Sequence, residues 1–586
     1  MTTPSDKLVN DFKRLKRLWP YLRADKRMLL VAAVLIPLIS LMQMGVPFLL
    51  RWTIDHGILP GDFEVLAWGA AGYFMLVFAE YGTRALQTIL TSKAIFRMIR
   101  SMRMALVGHI MRLAPRFHDK NMSGALVTRA TSDFDNLSEA LNQGVLNSLV
   151  DFAVLVGAMV GLFILNWQLA LIALAVLPLV VAVIILFSKA LKRSMLLARV
   201  KIAALNAFTQ ECLFAQSTVK LLGAHQDTQQ RFDRLSIEYR DAQMKSVVVD
   251  AILFALLDGV SSITIGLVLW SAVSGRAGSA ELSAGVIVAF VQYIQNVFDP
   301  LKQLGNKIAM LQGAFTALER IFTIFDTKDF IEGSEQPKAL RGRLSFKNLN
   351  FSYRQDAAEP VISDFSLELE AGQSLAIVGA TGSGKSTLVK IITKMYDGWT
   401  GSIEVDGQSL RTLSGPELRK ALALVPQDIV VFQETVAFNI GLGDPGLSRE
   451  AIQAAAGFVG ADRFIERLPQ GYDTILREGG DNLSQGQRQL LAFARAVVRD
   501  PRIIILDEAT SSVDPTAEAA IQQAIDKLFT GRTLIVIAHR LSTIRKCDRI
   551  LVLDRGRLVE IGSHQELMQR RGPYYALHEK LLHEEE

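Results

Sequence analysis

Gly379-Ala-Thr-Gly-Ser-Gly-Lys385-Ser386 follows the apolar run Ser374–Val378 and opens a segment of helical pattern that begins near Lys385. That strand, loop and helix order is what a phosphate-binding loop requires. Its glycines let backbone N–H groups converge on phosphate oxygens, while the helix N-terminus adds positive potential. Lys385 is placed for the β- and γ-phosphates and Ser386 for Mg²⁺. Gly379, Thr381, Gly382, Ser383, Gly384 and Thr387 complete the candidate nucleotide-binding set.

A second stretch, Ile503-Ile-Ile-Leu-Asp507-Glu508, reads as a buried strand ending in adjacent acids. Such a pair is costly unless it meets a cation or a reacting group. Asp507 suits Mg²⁺, and Glu508 suits the orientation or deprotonation of an attacking water.

The chain has 586 residues, half of them hydrophobic, and a mean hydropathy of +0.27, which excludes a single small soluble domain. Its net charge of +5 gathers beside apolar segments, not in an aromatic-interleaved patch, so it argues for membrane topology and against nucleic acid. Cys212 and Cys547 have no neighbours at metal spacing.

Six apolar stretches meet or approach the roughly 20 residues that a bilayer demands. They are 28–50, 65–91, 145–165, 168–188, 247–274 and 282–298. The connections 51–64, 166–167 and 275–281 carry one, no and one Lys/Arg, whereas 93–144 carries eight, 189–246 ten and 1–27 eight. The positive-inside bias therefore puts both long connections and both termini in the cytoplasm. Residues 1–27 read as a basic cytoplasmic elbow with no cleavage site.

The long connections keep helical spacing and are expected to continue the membrane helices into the cytosol. Breaks at 116–124 and 211–220 fit either short transverse helices or plain turns. The polar segment 326–342, with Gly and Pro, marks a boundary. From Leu344, strand-like runs at 344–346, 374–378, 423–425, 503–506 and 533–537 alternate with helical segments and predict a mostly parallel covered sheet.

Leu483-Ser484-Gln485-Gly486-Gln487, about twenty residues before the acidic strand, resembles the signature of ATP-binding cassette (ABC) transporters. The resemblance spans nearly the whole chain and is closest in layout to bacterial half-size multidrug and lipid exporters. It implies a six-helix all-α membrane domain (28–325) with long cytoplasmic extensions, then an α/β P-loop cassette (343–586). It also implies that Ser484, Gly486 and Gln487 serve ATP held by a second subunit, and that Tyr353 stacks on adenine. Gln427 is implied as a link between Mg²⁺, the attacking water and the membrane helices, Asp514 as a dimer-communication residue, and His539 as a γ-phosphate contact. Glu478 loosely matches a loop that touches a partner's coupling helix. Gln485 and Asp481-Asn482 depart from the commoner signature, and both a homodimer and the active half of a heterodimer stay open.

Charges inside the expected spans are candidates for function. Asp258 stands in the fifth span with only Asp250 near it at helical distance. Glu80 and Arg84 lie one turn apart and can neutralise each other. Asp151, Gln292, Gln295 and Asn296 are candidates for a cavity that takes polar or cationic parts of an amphiphile, with helix packing as the competing explanation. The expected activity is ATP-driven export of drugs or lipids across the bacterial inner membrane. A nucleotide-gated channel or transport regulator of the same fold is the alternative, disfavoured by the complete hydrolytic set.

Overall fold

The computed structural model describes residues 14–274, 283–331, 333–353, 359–507, 515–537 and 540–585. The chain divides into two compact units. One holds the residues up to Met111 together with Ser123–Thr327, and the other holds Arg112–Met122 with Lys328–Glu586.

The first unit is helical. Among the described residues five stretches are long and apolar enough to cross a bilayer: Arg14–Ile58, Phe63–Arg112, Ser123–Leu165, Trp167–Phe214 and His225–Ala272. The expected sixth span lies in the helix Ala284–Asp326, which is not among them; Gln292, Gln295, Asn296 and Asp299 interrupt its apolar run. A 50-residue helix such as Phe63–Arg112 is about 75 Å long at 1.5 Å per residue, far beyond hydrocarbon about 30 Å thick. The helices therefore extend past the bilayer, as their spacing predicts.

The fourth span is present, but its helix is interrupted at Val176, between Trp167–Ala175 and Leu177–Phe214, and the second tip needs correction. Pro178 lacks an N–H and crowds the carbonyl four residues back, which is what interrupts the ladder. At the second tip the long helix runs on to Phe214, and the short helix begins only at Gln216, ending at Leu221. Leu213, Phe214, Leu221 and Leu222 are all strongly exposed there.

The elbow is tied to the end of the last helix. Arg17 forks onto Asp326 at 2.7 and 2.9 Å, with its guanidinium 4.1 Å from the Phe322 ring centroid, and Arg14 reaches Glu319 at 3.2 Å.

The second unit contains two sheets. β1 (Leu344–Phe351), β2 (Ile362–Leu369), β4 (Thr400–Val405) and β5 (Gln408–Ser409) form an antiparallel sheet in the order β2-β1-β4-β5. The other sheet runs β10-β9-β3-β8-β7-β6, from β3 (Ser374–Val378), β6 (Leu422–Val425), β7 (Ile503–Asp507), β8 (Thr533–Ile537), β9 (Arg549–Asp554) and β10 (Arg557–Gly562). All its pairs are parallel except β9 with β10. Side chains alternate between two buried layers: Ile504, Leu506, Leu534 and Val536 enter one, and Ile503, Ile505, Ile535 and Ile537 the other. Burial on both faces is why these strands read as unbroken apolar runs.

Asn439, fully buried, folds the stretch that follows Gln427. It accepts from Phe432 N at 2.9 Å, donates to Phe432 O at 2.9 Å and Thr435 O at 3.1 Å, and accepts from Arg495 Nη2 at 3.3 Å. Arg495 also donates to the Asn439 carbonyl at 2.8 Å and the Val430 carbonyl at 3.0 Å. Asn439→Ala strips several buried groups of partners at once and should cost about 2–3 kcal/mol. A melt of the full chain should show the cassette transition lowered by about 4–8 °C; an unshifted midpoint contradicts this role.

Candidate nucleotide site and the comparisons with known proteins

β3 feeds the phosphate loop. Gly379 lies so close to the next strand that an added Cβ would sit 2.1 Å from the Leu553 carbonyl oxygen. Gly384 caps the following helix, Lys385–Ile392, at φ +108°, which L side chains rarely adopt. Lys385 is buried and donates to the carbonyls of Gly379 and Ala380 at 2.8 and 3.1 Å, so its ammonium stands inside its own loop. Ser383 is 3% exposed, and its Oγ has no hydrogen-bond partner among the described residues. Thr381, Gly382 and Ser386 are exposed. A buried donor without a partner, glycines where a Cβ would clash and an ammonium in the loop form a cradle that fits a phosphate chain.

Tyr353 stands beside this cradle. Its hydroxyl lies 3.0 Å from Thr387 Oγ1, and its ring meets Phe351 and Tyr396 edge-on, each at 5.1 Å between centroids. The ring stays 45% exposed, enough for a flat apolar surface to lie on it.

The parallel register brings the other candidates to one edge. Ile377 of β3 pairs with Ile537 of β8, Ile537 with Asp507 of β7, and Leu506 with Val425 of β6. The phosphate loop, Gln427 and Asp507 thus sit at the carboxyl ends of adjoining parallel strands, where open α/β sheets bind ligands. Glu508 follows the last residue of β7 directly in the chain and His539 comes two residues after the end of β8; with Asp514, they lie outside the described residues. Ser386, Gln427 and Asp507 offer oxygen donors only, a set suited to a hard cation such as Mg²⁺.

Ser484 is the N-cap of the helix Gln485–Val497. Its Oγ accepts from Gln487 N at 3.3 Å, and its own N–H donates to Gln487 Oε1 at 2.9 Å. This reciprocal box pins the helix end. Gln487 thereby spends its side-chain oxygen on the cap, Gly486 is buried and Ser484 is exposed. Asn482, one of the departures from the commoner signature, accepts from Arg477 N at 3.0 Å and shapes the turn carrying the exposed Glu478.

Several contacts of the candidate elements were invisible to sequence reading. In the second unit, the helix Pro115–Lys120 docks onto the loop after the phosphate-binding helix: Arg116 pairs with Asp397 at 2.8 Å and with Asp329, and Tyr396 donates to Asp119. Ala114 N donates to the Asp329 carbonyl at 2.8 Å. In the first unit, Asp258 is not left with Asp250 alone as expected. Lys302 pairs with it at 2.7 Å and with Asp299 at 2.9 Å, and Lys307 pairs with Asp151. Both lysines lie beyond the expected end of the sixth span, on the helix that continues through Pro300. Glu80 and Arg84 do pair, at 3.4 Å. The signal for the lysine pairs was available only as two cations four and nine residues past Phe298.

Two family models match the chain: the ABC transporter transmembrane region over residues 29–301 and the ABC transporter model over residues 362–511. The ATP-dependent lipid A-core flippase of Mannheimia succiniciproducens is 34% identical over 567 residues, 96% of each chain. That of Escherichia coli (strain K12) is 33% identical over 576 residues, 98% of this chain and 99% of the other. A solved bacterial Atm1-family ABC exporter with ATP bound superposes with a TM-score of 0.77 at 28% identity, covering 95% of this chain and 98% of that chain. Matched in both its transmembrane region and its cassette, and aligned with relatives over nearly their whole length, this chain belongs to the ABC transporter family as a half-size exporter, an integral membrane protein whose ATP-binding cassette is an ATPase coupled to transport.

Proposed function

We propose that this exporter moves an amphiphile, lipid or drug-like, out of the cytosolic side or inner leaflet of the bacterial inner membrane by alternating access, as a dimer of half-transporters. The observation that carries the reading is the meeting of the phosphate loop, Gln427 and Asp507 at the carboxyl ends of parallel strands held in register. The names of the flippase relatives favour a lipid among the amphiphiles. In this scheme 28–325 is the membrane domain, 326–342 the linker and 343–586 the cassette, with both termini cytoplasmic.

Lys385 exchanges its loop carbonyls for the β- and γ-phosphates, and Tyr353 carries the adenine. Ser386, Gln427 and Asp507 hold Mg²⁺, which when bound neutralises phosphate charge. Glu508 takes a proton from the attacking water and His539 donates to the γ-phosphate. The exposed Ser484 at its capped helix end serves the nucleotide of the partner copy, with Gly486 and Gln487 holding that helix end and Asp514 communicating across the pair. One cassette per chain makes two copies, or one copy and a related subunit, the working unit.

Arg116 is the link between hydrolysis and the membrane helices. Its segment continues the helix Phe63–Arg112, and its partner Asp397 follows the phosphate-binding helix. On the last membrane helix Gln292, Gln295, Asn296 and Asp299 recur at three- and four-residue spacing, each at least partly exposed in the single chain. A polar stripe of this kind is too expensive to face lipid, so it is assigned to a cavity, with Asp258 and Asp151 at its lysine-paired flank.

Glu508→Gln should lower Mg²⁺-dependent ATP turnover of the purified protein by about 10³-fold while nucleotide binding persists; surviving turnover removes Glu508 as the base. Arg116→Ala should cut the substrate-stimulated part of the ATPase by roughly tenfold, read as the ratio of stimulated to basal rate; an unchanged ratio excludes the coupling role. Asp258→Asn should lower transport of cationic relative to neutral amphiphiles by about tenfold, measured as a ratio in vesicles; an equal ratio takes Asp258 out of the substrate path.

A further inference from the structure

Beyond β8 the chain passes through residues 538–539 into a four-residue helix, Leu541–Ile544, and this helix is held on both sides. On one side Arg540 pairs with Glu518, and Lys546 with Asp526 at 2.6 Å, both on the helix Pro515–Leu528. On the other side Arg545 Nη2 lies 3.0 Å from His578 Nε2, on the C-terminal helix Pro573–Glu585. His578 is 3% exposed.

The surroundings of that contact are crowded with titratable groups. The His564 ring lies 5.5 Å from the His578 ring, and His564 Nδ1 is 2.8 Å from Tyr574 Oη. Cys547 is buried in the segment after Arg545. The Glu560 carboxylate of β10 accepts the Tyr574 N–H at 2.9 Å. Among the described residues Arg545 is thus a cation that His578 meets directly, with His564, Tyr574, Cys547 and Glu560 around it.

A guanidinium has donors only, so the Arg545 contact requires a lone pair on His578 Nε2. A neutral imidazole supplies it. An imidazolium would set N–H against N–H and charge a ring that is only 3% exposed while it touches a guanidinium.

We infer that Arg545 and His578 form a proton-sensitive positioning contact: neutral His578 holds the Leu541–Ile544 helix, which follows His539 in the chain, in the arrangement needed for ATP turnover, and acidification of the cytosolic side releases it. The link to turnover rests on the role proposed above for His539. Burial, with Arg545 and His578 close by, holds His564 below the ordinary imidazole range, which acts in the same direction. The sign follows from linkage: a histidine held below its unfolded value gives its full stabilisation above about pH 6.5 and loses it as pH falls further.

The test uses the full chain in lipid nanodiscs. Amide exchange over 573–582, corrected for the intrinsic effect of pH, should speed up about tenfold between about pH 7.5 and about pH 6, with β3 and β7 unchanged. Flat exchange overturns the contact whatever His539 does. His564→Gln/His578→Gln keeps an acceptor for Arg545 but cannot titrate, so the fall in kcat toward about pH 6 should shrink by about threefold relative to wild type. His578→Leu removes the acceptor and should lower kcat at about pH 7.5 by about tenfold with KM for ATP unchanged. A double variant that follows the wild-type acid limb, or a kcat untouched by His578→Leu, overturns the link to turnover. Loss of the ATPase assignment itself would show instead as turnover surviving in Glu508→Gln.

Discussion

Everything chemical in this chain depends on the hydrogen-bonded register of four parallel strands, β6, β7, β8 and β3. A one-residue slip in any pair would turn its alternating side chains from one buried layer into the other, so the register is fixed by burial on both faces. Once fixed, it delivers the phosphate loop, Asp507 and Gln427 to one edge without further instruction. The cradle then needs glycine where Leu553 and Ile362 crowd the loop, and a lysine long enough to curl back onto its own carbonyls.

A second layer of polar contacts ties that edge to the rest of the cassette. Asn439 and Arg495 fold the stretch after Gln427 with buried hydrogen bonds, and the reciprocal cap of Ser484 and Gln487 fixes the end of the signature helix. Arg116 meets two carboxylates, Asp397 just after the helix Lys385–Ile392 and Asp329. Around the buried Asn439 the low local dielectric makes the network costly to break in part.

In the membrane domain the last helix carries the polarity. Lys302 and Lys307 neutralise Asp258 and Asp151 from neighbouring helices, which lowers the cost of charges near the bilayer and leaves a polar face at Gln292, Gln295 and Asn296. The side chain of Asp258 remains 63% exposed in the single chain despite its partner, so the pair is a boundary feature and not part of the packed core.

The sequence by itself determined the class of the molecule. Apolar length, charge asymmetry between loops and the Gly379–Ser386 and Asp507–Glu508 stretches are local signals, because bilayer thickness and phosphate geometry act over a few consecutive residues. The same locality made the strands 374–378 and 533–537 legible to the residue. Only the tertiary structure decided which strands pair, that four of them form a separate antiparallel sheet, that Arg112–Met122 groups with the cassette, and that Lys302 answers Asp258. These depend on contacts between residues tens to hundreds of positions apart, and neither hydropathy nor spacing records a partner that distant. Pro178 marks the border between the two: its missing N–H was in plain view, but whether a helix would break there or absorb it was settled by packing.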